Sequence, residues 1–298
     1  MWGCGVANPN RRSKRHHYVP QALQRFFCDR NDTLWYSEKC GPYQYKGIEP
    51  RNTYSTFQIR NHYTILEGNR PSDVVEREYF GPMDNDLALF LTEVRRGFDA
   101  GSVPRITGEL LHFVQDLTIE LMKRNPFFLK DHNDTETGRS IIEGTLRAAK
   151  AEGIEESSLQ GLRQELKNET WLRSVGRDVR VRSGTTVSER VVAEMRRRVV
   201  RWVKTPPRCS FIISSLITYR IGNGGPNGIG NSKSEVWIPI SPDIAMVLLV
   251  DNHGRYPLET IWRPEKVRQI NEFAVRHAQA VGSHSERLLQ SLLRGRIQ

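Results

Sequence analysis

Two adjacent histidines, His16 and His17, stand directly before Tyr18-Val19-Pro20. Neighbouring side chains on an extended chain point to opposite faces, so one metal ion is poorly served by both rings. One ring can instead hold a metal or orient its neighbour while the other faces a substrate proton. That division of labour suits metal-assisted phosphodiester hydrolysis, with His16 as ligand or orienter, His17 as general base and a divalent metal against the scissile phosphate. Such a metal needs further ligands, and Asp29, Asn31, Asp32, Glu38 and His62 are equal candidates. The competing reading is structural: one ring caps the short helix that follows or bonds a core carbonyl, and the other is exposed.

Two basic features extend this chemistry. Arg124 closes a central helical pattern just before Asn125-Pro126, with Glu120 and Gln115 on about the same side. Facing a cleft, it would clamp a phosphate; buried against Glu120, it would brace the helix. Between Trp171 and Lys204 there are ten Lys/Arg and three acids. A helix over Val187–Val203 would put Arg190, Arg197, Arg201 and Lys204 on one face, and Val192, Met195, Val199 and Trp202 on another. That stripe would track the phosphates of a nucleic acid, or else be a solvated face or dock on acidic residues. His112, inside an apolar helical run, reads as a core or boundary residue. There is no G-x-S-x-G elbow and no cysteine in an activating context.

The elements that must position these residues follow from periodicity. A short helix begins at Pro20, with Leu23, Phe26 and Phe27 on one face, and TLWYSEK reads as a strand. A second β-like stretch covers Tyr54 to Leu66. Leu87, Phe90, Leu91 and Val94 mark a helix closed by Gly97, and Ile106 to Leu121 mark another that ends at Pro126. Residues 129–170 are polar, partly helical and insertion-like. CSFIISSLITYRI and SEVWIPISPDIAMVLLVD read as buried strands around a Gly/Asn-rich turn with a mobile tip. A closing helix carries Val267, Ile270, Ala274, Ala278 and Val281. The expected fold class is α+β, with a small β-containing N-terminal unit, a helical middle and a C-terminal sheet closed by a helix. Residues 1–13 form a flexible basic lead, and 14–290 form a single integrated domain.

Length and composition bound the alternatives. A chain of 298 residues with 38% hydrophobic and 26% charged residues can bury a core without staples and is neither fibrous nor disordered. The longest apolar run, Ile244–Val250, is far short of the roughly twenty residues of a spanning helix. No secretory pattern precedes it, and the expected location is cytoplasmic. Cys4, Cys28, Cys40 and Cys209 show no C-x-x-C pair and read as reduced thiols; a mixed zinc site of His16 or His17 with Cys28 and Cys40 matches no standard finger. The net charge of +10 is unevenly spread: residues 1–60 carry ten Lys/Arg against four Asp/Glu, residues 61–170 thirteen against twenty, and residues 171–298 twenty-one against ten. Basic ends either attract a polyanion or fold against the acidic middle.

HHYVPQALQRFF, TLWYSEK, NHYT, VVEREYF, KRNP, FIIS, IPISPDIAMVL and NEFAVRHAQAVGS occur in this order. Together they resemble the domain of unknown function 4238 family over about residues 14–290. The resemblance implies a lineage marked by an HHYVPQ-like signature and no settled activity. Members carry a Ser-Asp-Asn-Pro-like run after the FI strand, whereas Ser214 is followed here by Ser215, Leu216 and Ile217. An acid used there by relatives would be missing. The histidine pair also looks like that of HNH-type and ββα-metal nucleases, over a few residues only. Two readings follow: a metal-assisted nuclease or phosphodiesterase using His16, His17 and Arg124, or a non-enzymatic protein that binds nucleic acid or an acidic partner through its basic surface.

Overall fold

The computed structural model describes residues 15–67, 70–126, 135–222 and 228–297. The basic lead and the tip of the glycine-rich connection lie outside the described residues. In chain order the elements begin with β1 (Arg15–His17), α1 (Gln21–Arg25), β2 (Leu34–Glu38), β3 (Glu49–Arg51), β4 (Gln58–Arg60), β5 (Ile65–Glu67) and β6 (Arg70–Ser72). A π-helical turn, Val75–Phe80, runs into α2 (Gly81–Asp99), followed by α3 (Gly108–Lys123), α4 (Thr135–Ala151), α5 (Glu156–Glu165), α6 (Glu169–Gly184) and α7 (Glu189–Arg196). The remainder is β7 (Arg198–Lys204), β8 (Ile213–Ser214), β9 (Tyr219–Gly222), β10 (Ser234–Pro239), β11 (Ile244–Val250), β12 (Glu259–Ile261), α8 (Pro264–His277), β13 (Ala280–Ser283) and α9 (Glu286–Leu293). The fold is α+β.

These elements form two compact units: one from residues 15–16, 59–82 and 126–186, the other from 17–58, 83–125 and 187–297. The larger unit holds a five-stranded sheet in the order β12-β7-β11-β10-β9 and a four-stranded sheet in the order β3-β2-β13-β8. β11, IAMVLLV, is buried along nearly its whole length, as a central strand covered on both faces must be. It pairs antiparallel with β7, setting Met246 opposite Trp202, and with β10, setting Val236 opposite Leu248. The Trp202 indole is fully buried, and its N–H donates to the Pro104 carbonyl at 2.7 Å. In the second sheet β2, from the expected N-terminal β region, lies antiparallel to β13, with Tyr36 opposite Gly282. A Cβ at Gly282 would sit 3.0 Å from Leu34 Cδ2 and 3.2 Å from Ile213 Cγ2, so glycine lets these side chains pack directly over the strand.

The smaller unit contains the β5–β6 hairpin, α4, α5 and α6, with a satellite core of Ile142, Leu146, Ala149, Leu159 and Leu172. α4 and α6 meet backbone to backbone: a Cβ at Gly138 would lie 2.0 Å from the Leu172 carbonyl oxygen. Asp178 on α6 accepts the Leu66 N–H at 2.9 Å, fixing the hairpin to the helix.

Several expectations need correction. Gly97 does not close α2, which continues to Asp99; a side chain at Gly97 would meet Pro104 Cγ at 3.0 Å, so this glycine serves packing. The helix expected over Val187–Val203 stops at Arg196, and residues 198–204 form β7. Its β-branched, aromatic Val-Val-Arg-Trp-Val run satisfies sheet pairing on both sides. The closing helix stops at His277, and Val281 belongs to β13.

Candidate functional site

The histidine pair splits as strand alternation requires. His16 is fully buried and belongs to the smaller unit. Its Nδ1 accepts the Tyr63 N–H at 2.7 Å, which places the ring proton on Nε2. The ring lies parallel to Tyr63, with centroids 5.6 Å apart, and Tyr63 packs in turn on Phe80. His16 therefore has one nitrogen committed to the main chain.

His17 belongs to the larger unit and is half-buried. Its Nε2 donates to the Tyr54 carbonyl at 3.3 Å, and its ring is tilted against the Tyr54 ring. Burial holds its pKa below the ordinary imidazole value of 6.5, and the Arg124 charge adds to that; the Tyr54 and Thr53 carbonyls and the Asp84 charge oppose it. At neutral pH the ring is uncharged and can accept a proton.

Arg124, the C-cap of α3, has no exposed side-chain surface. Its guanidinium grips Asp84 in the first turn of α2, through Nη1 to Oδ1 and through Nη2 to Oδ2 at 3.3 Å. The expected partner Glu120 pairs instead with Lys123 at 2.7 Å. Arg124 is thus a brace between α2 and α3, and an incoming phosphate would first have to displace Asp84. Gln115 is also structural: its amide donates to the Arg198 carbonyl at 2.7 Å and its oxygen accepts from Arg196 at 3.0 Å.

The family model described as "Protein of unknown function (DUF4238)" matches residues 15–283. The chain belongs to this family. No curated protein and no solved structure matches it. The family's span takes in both histidines, Arg124 and the basic stripe.

The family's histidine signature is tied into the core by residues that composition did not single out. The Tyr18 N–H donates to the Phe57 carbonyl at 3.0 Å, and buried Gln24 links the Val19 carbonyl at 2.7 Å to the Thr56 hydroxyl at 2.6 Å. Three of the five candidate metal ligands, Asp29, Glu38 and His62, are otherwise employed. Asp29 accepts the Asn31 and Thr33 N–H groups, and Glu38 is engaged by Tyr36, Lys46 and Arg51. In the smaller unit, both ring nitrogens of His62 face the Arg180 guanidinium at 3.4–3.5 Å, where a metal cation would otherwise stand. Among the described residues no three His, Cys, Asp or Glu side chains come together as a metal ion requires. Ser214 and Ser215 serve the main chain: Ser214 Oγ accepts the Leu216 N–H at 3.2 Å and Ser215 Oγ accepts the Gln279 N–H at 2.8 Å.

The four-cation stripe is not a helical face. Arg190 lies on α7, Arg197 is its C-cap, and Arg201 and Lys204 project from β7. Arg197 pairs with Glu194 at 2.9 Å, Arg201 with Asp251 at 2.6 Å and Lys204 with Glu259 at 3.5 Å. Arg198, buried beside them, spends its guanidinium on the carbonyls of Ser234, Ile229 and Asn231. Sequence reasoning missed Asp84, whose only signal was its position as an acid in a helical first turn.

Proposed function

We propose that the protein binds nucleic acid through the basic surface of its C-terminal region, by contact with the phosphate backbone. What supports this reading is a surplus of cations that acids of the same unit do not absorb. From Val187 to the C-terminus there are seventeen Lys/Arg and nine Asp/Glu, and among the described residues five of those cations are held in ion pairs: Arg196, Arg197, Arg201, Lys204 and Arg268. Within the larger unit a single one of these pairs, Arg196–Asp116, reaches an acid of the central region. Cations left in water are those that exchange condensed counterions for affinity. The paired residues Arg197, Arg201 and Lys204 contribute by shaping this surface, while Arg190 on α7 has no carboxylate partner among the described residues.

The test is fluorescence anisotropy of labelled DNA and RNA against salt concentration. Binding that weakens linearly in log–log form, with a slope of several units, is expected; salt-insensitive binding, or none, refutes the reading.

A hydrolytic reading is favoured by one observation, the half-buried and neutral His17 ring beside the Asp84–Arg124 pair. In it His17 accepts the proton of the attacking water, Arg124 holds Asp84 in place, and His16 anchors the strand. The described residues bring no divalent-metal ligand set together, so no step is routed through a metal. Incubation with DNA and RNA plus Mg²⁺, Mn²⁺ or Zn²⁺, beside His17→Ala, decides it: cleavage lost in the variant supports hydrolysis, and equal cleavage in both or none in either removes it.

A further inference from the structure

α9 presents Arg287, Gln290 and Ser291 on one face, its C-cap Arg294 follows, and Leu289 and Leu293 are buried on the other face. Opposite that face stands α8 with Arg268 and Glu272, and Arg296 completes the ring. Together these side chains line a cavity of about 820 Å³. Its one carboxylate, Glu272, is already taken by Arg268 at 2.8 Å, and Arg268 also reaches Ser291 Oγ at 3.2 Å. No ion pair holds Arg287, Arg294 or Arg296 among the described residues. Three cations therefore face one concave space whose one carboxylate among the described residues, Glu272, is engaged by Arg268.

The backbone that carries them is fixed. Gly295 has φ of +75°, a left-handed conformation that glycine adopts without strain, and it turns the chain sharply after α9. The Arg296 carbonyl accepts the Tyr45 N–H at 2.7 Å, and the fully buried Tyr45 is anchored through its hydroxyl to the Val275 carbonyl at 2.7 Å. The backbone that carries Arg294 and Arg296 is thus held on a pinned turn. A second cavity, of about 420 Å³, shares Arg268 and Leu292 with the first and adds the apolar walls Val267 and Leu288 beside the His284 ring. Nδ1 of that ring is buried without a hydrogen-bond partner among the described residues.

We propose that the arginine-lined cavity between α8, α9 and the Arg294–Arg296 turn is a phosphate-binding site, with the adjoining cavity receiving the uncharged part of the same ligand. The chemistry recognised is a phosphate ester attached to an apolar or aromatic body, which an oligonucleotide or a free nucleoside triphosphate both supply. The proposal rests on the reading of the C-terminal region as phosphate-binding, and it names the place where that binding is concentrated.

The test compares the full chain with Arg287→Gln/Arg294→Gln, both exposed positions, and with a charge-matched control, Arg30→Gln/Arg220→Gln, away from the cavity. Circular dichroism confirms that the variants fold. Two probes are titrated: a labelled single-stranded oligonucleotide across about 50–200 mM salt, and ATP beside inorganic tripolyphosphate. Loss of about tenfold in affinity per cavity arginine, with a salt slope shallower by about two, is expected for the cavity variant alone. Equal losses in the cavity and control variants would overturn the site in favour of general charge. Oligonucleotide binding unchanged in the cavity variant overturns the site and leaves nucleic-acid binding standing. ATP binding that depends on the cavity arginines, without oligonucleotide binding, supports the site and ends the nucleic-acid reading. No binding of either probe overturns both.

Discussion

The Asp84–Arg124 pair distinguishes a brace from a clamp by what happens when half of it is removed. Arg124 has no exposed side-chain surface, and Asp84 keeps 29% of its own. Asp84→Ala withdraws the carboxylate from a guanidinium that water cannot reach. Breaking a buried pair in this way costs about 3–5 kcal/mol, and the partial exposure of Asp84 puts the expected loss near the lower end of that range. Asp84→Asn keeps an acceptor for one guanidinium nitrogen and should lose less. The double variant Asp84→Ala/Arg124→Met leaves no buried charge and should recover much of the loss, since an apolar side chain can replace an ion pair almost neutrally. Urea denaturation of all four proteins, followed by circular dichroism and tryptophan fluorescence, measures the series. Two observations would refute the reasoning: Asp84→Ala within about 1 kcal/mol of wild type, the range of an exposed pair, or a double variant no more stable than the single one. An open clamp predicts the first result; a brace predicts the full series.

Acidification should destabilise the fold through its buried rings. Burial holds His17 and His284 below 6.5, so the unfolded chain binds more protons than the folded one as pH drops past that value. The stability they contribute is present above 6.5 and is lost as pH falls through the folded-state values; Tm between pH 7.5 and 5.5 checks this, and His17→Gln should flatten the curve. Gly138→Ala places a methyl 2.0 Å from the Leu172 carbonyl oxygen, and the overpacking cost of about 1–3 kcal/mol should outweigh a helix-propensity gain of about 1; an unchanged or raised Tm refutes it. His16→Ala removes a fully buried ring and the acceptor of the Tyr63 N–H. A loss of about 2–4 kcal/mol should appear in chemical denaturation, and a loss under 1 would show that the ring is not scaffolding.

What was legible in the sequence is what one segment decides alone. Leu87, Phe90, Leu91 and Val94 face the core of α2 because their spacing matches the helical period, and Ile244–Val250 is a buried strand because it has no polar residue to expose. Residues 187–203 misled because Arg190, Arg197 and Arg201 fit a helical face as readily as Val199, Trp202 and Val203 fit a strand. Pairing with β11 and β12, segments more than forty residues further on, settled the choice. Gly97 misled for a similar reason: its role is contact with Pro104, not helix termination. The candidate site was legible in type only. The carboxylate partner of buried Arg124 is forty residues away in sequence, and no local pattern ties the two together.

The twin histidines look like one chemical unit in the sequence and behave as two in the fold. Adjacency on a strand sends their rings to opposite sides, and each then meets different neighbours: Tyr63 for His16, Tyr54 for His17. A ring whose Nδ1 holds a backbone N–H would have to give up that bond to work as a base there, leaving a buried donor unsatisfied. His17 carries no such debt to an amide, and its neutral state at physiological pH follows from burial before any catalytic role is assigned. The signature is therefore accounted for by what it anchors, with His16 tied to Tyr63 in the smaller unit and His17, Tyr18 and Val19 tied to Tyr54, Phe57 and Gln24 in the larger one, while cations with no carboxylate partner among the described residues lie elsewhere, at Arg287, Arg294 and Arg296. Charge without a counter-charge is the feature a fold does not need for its own stability, and it is there that a ligand has something to supply.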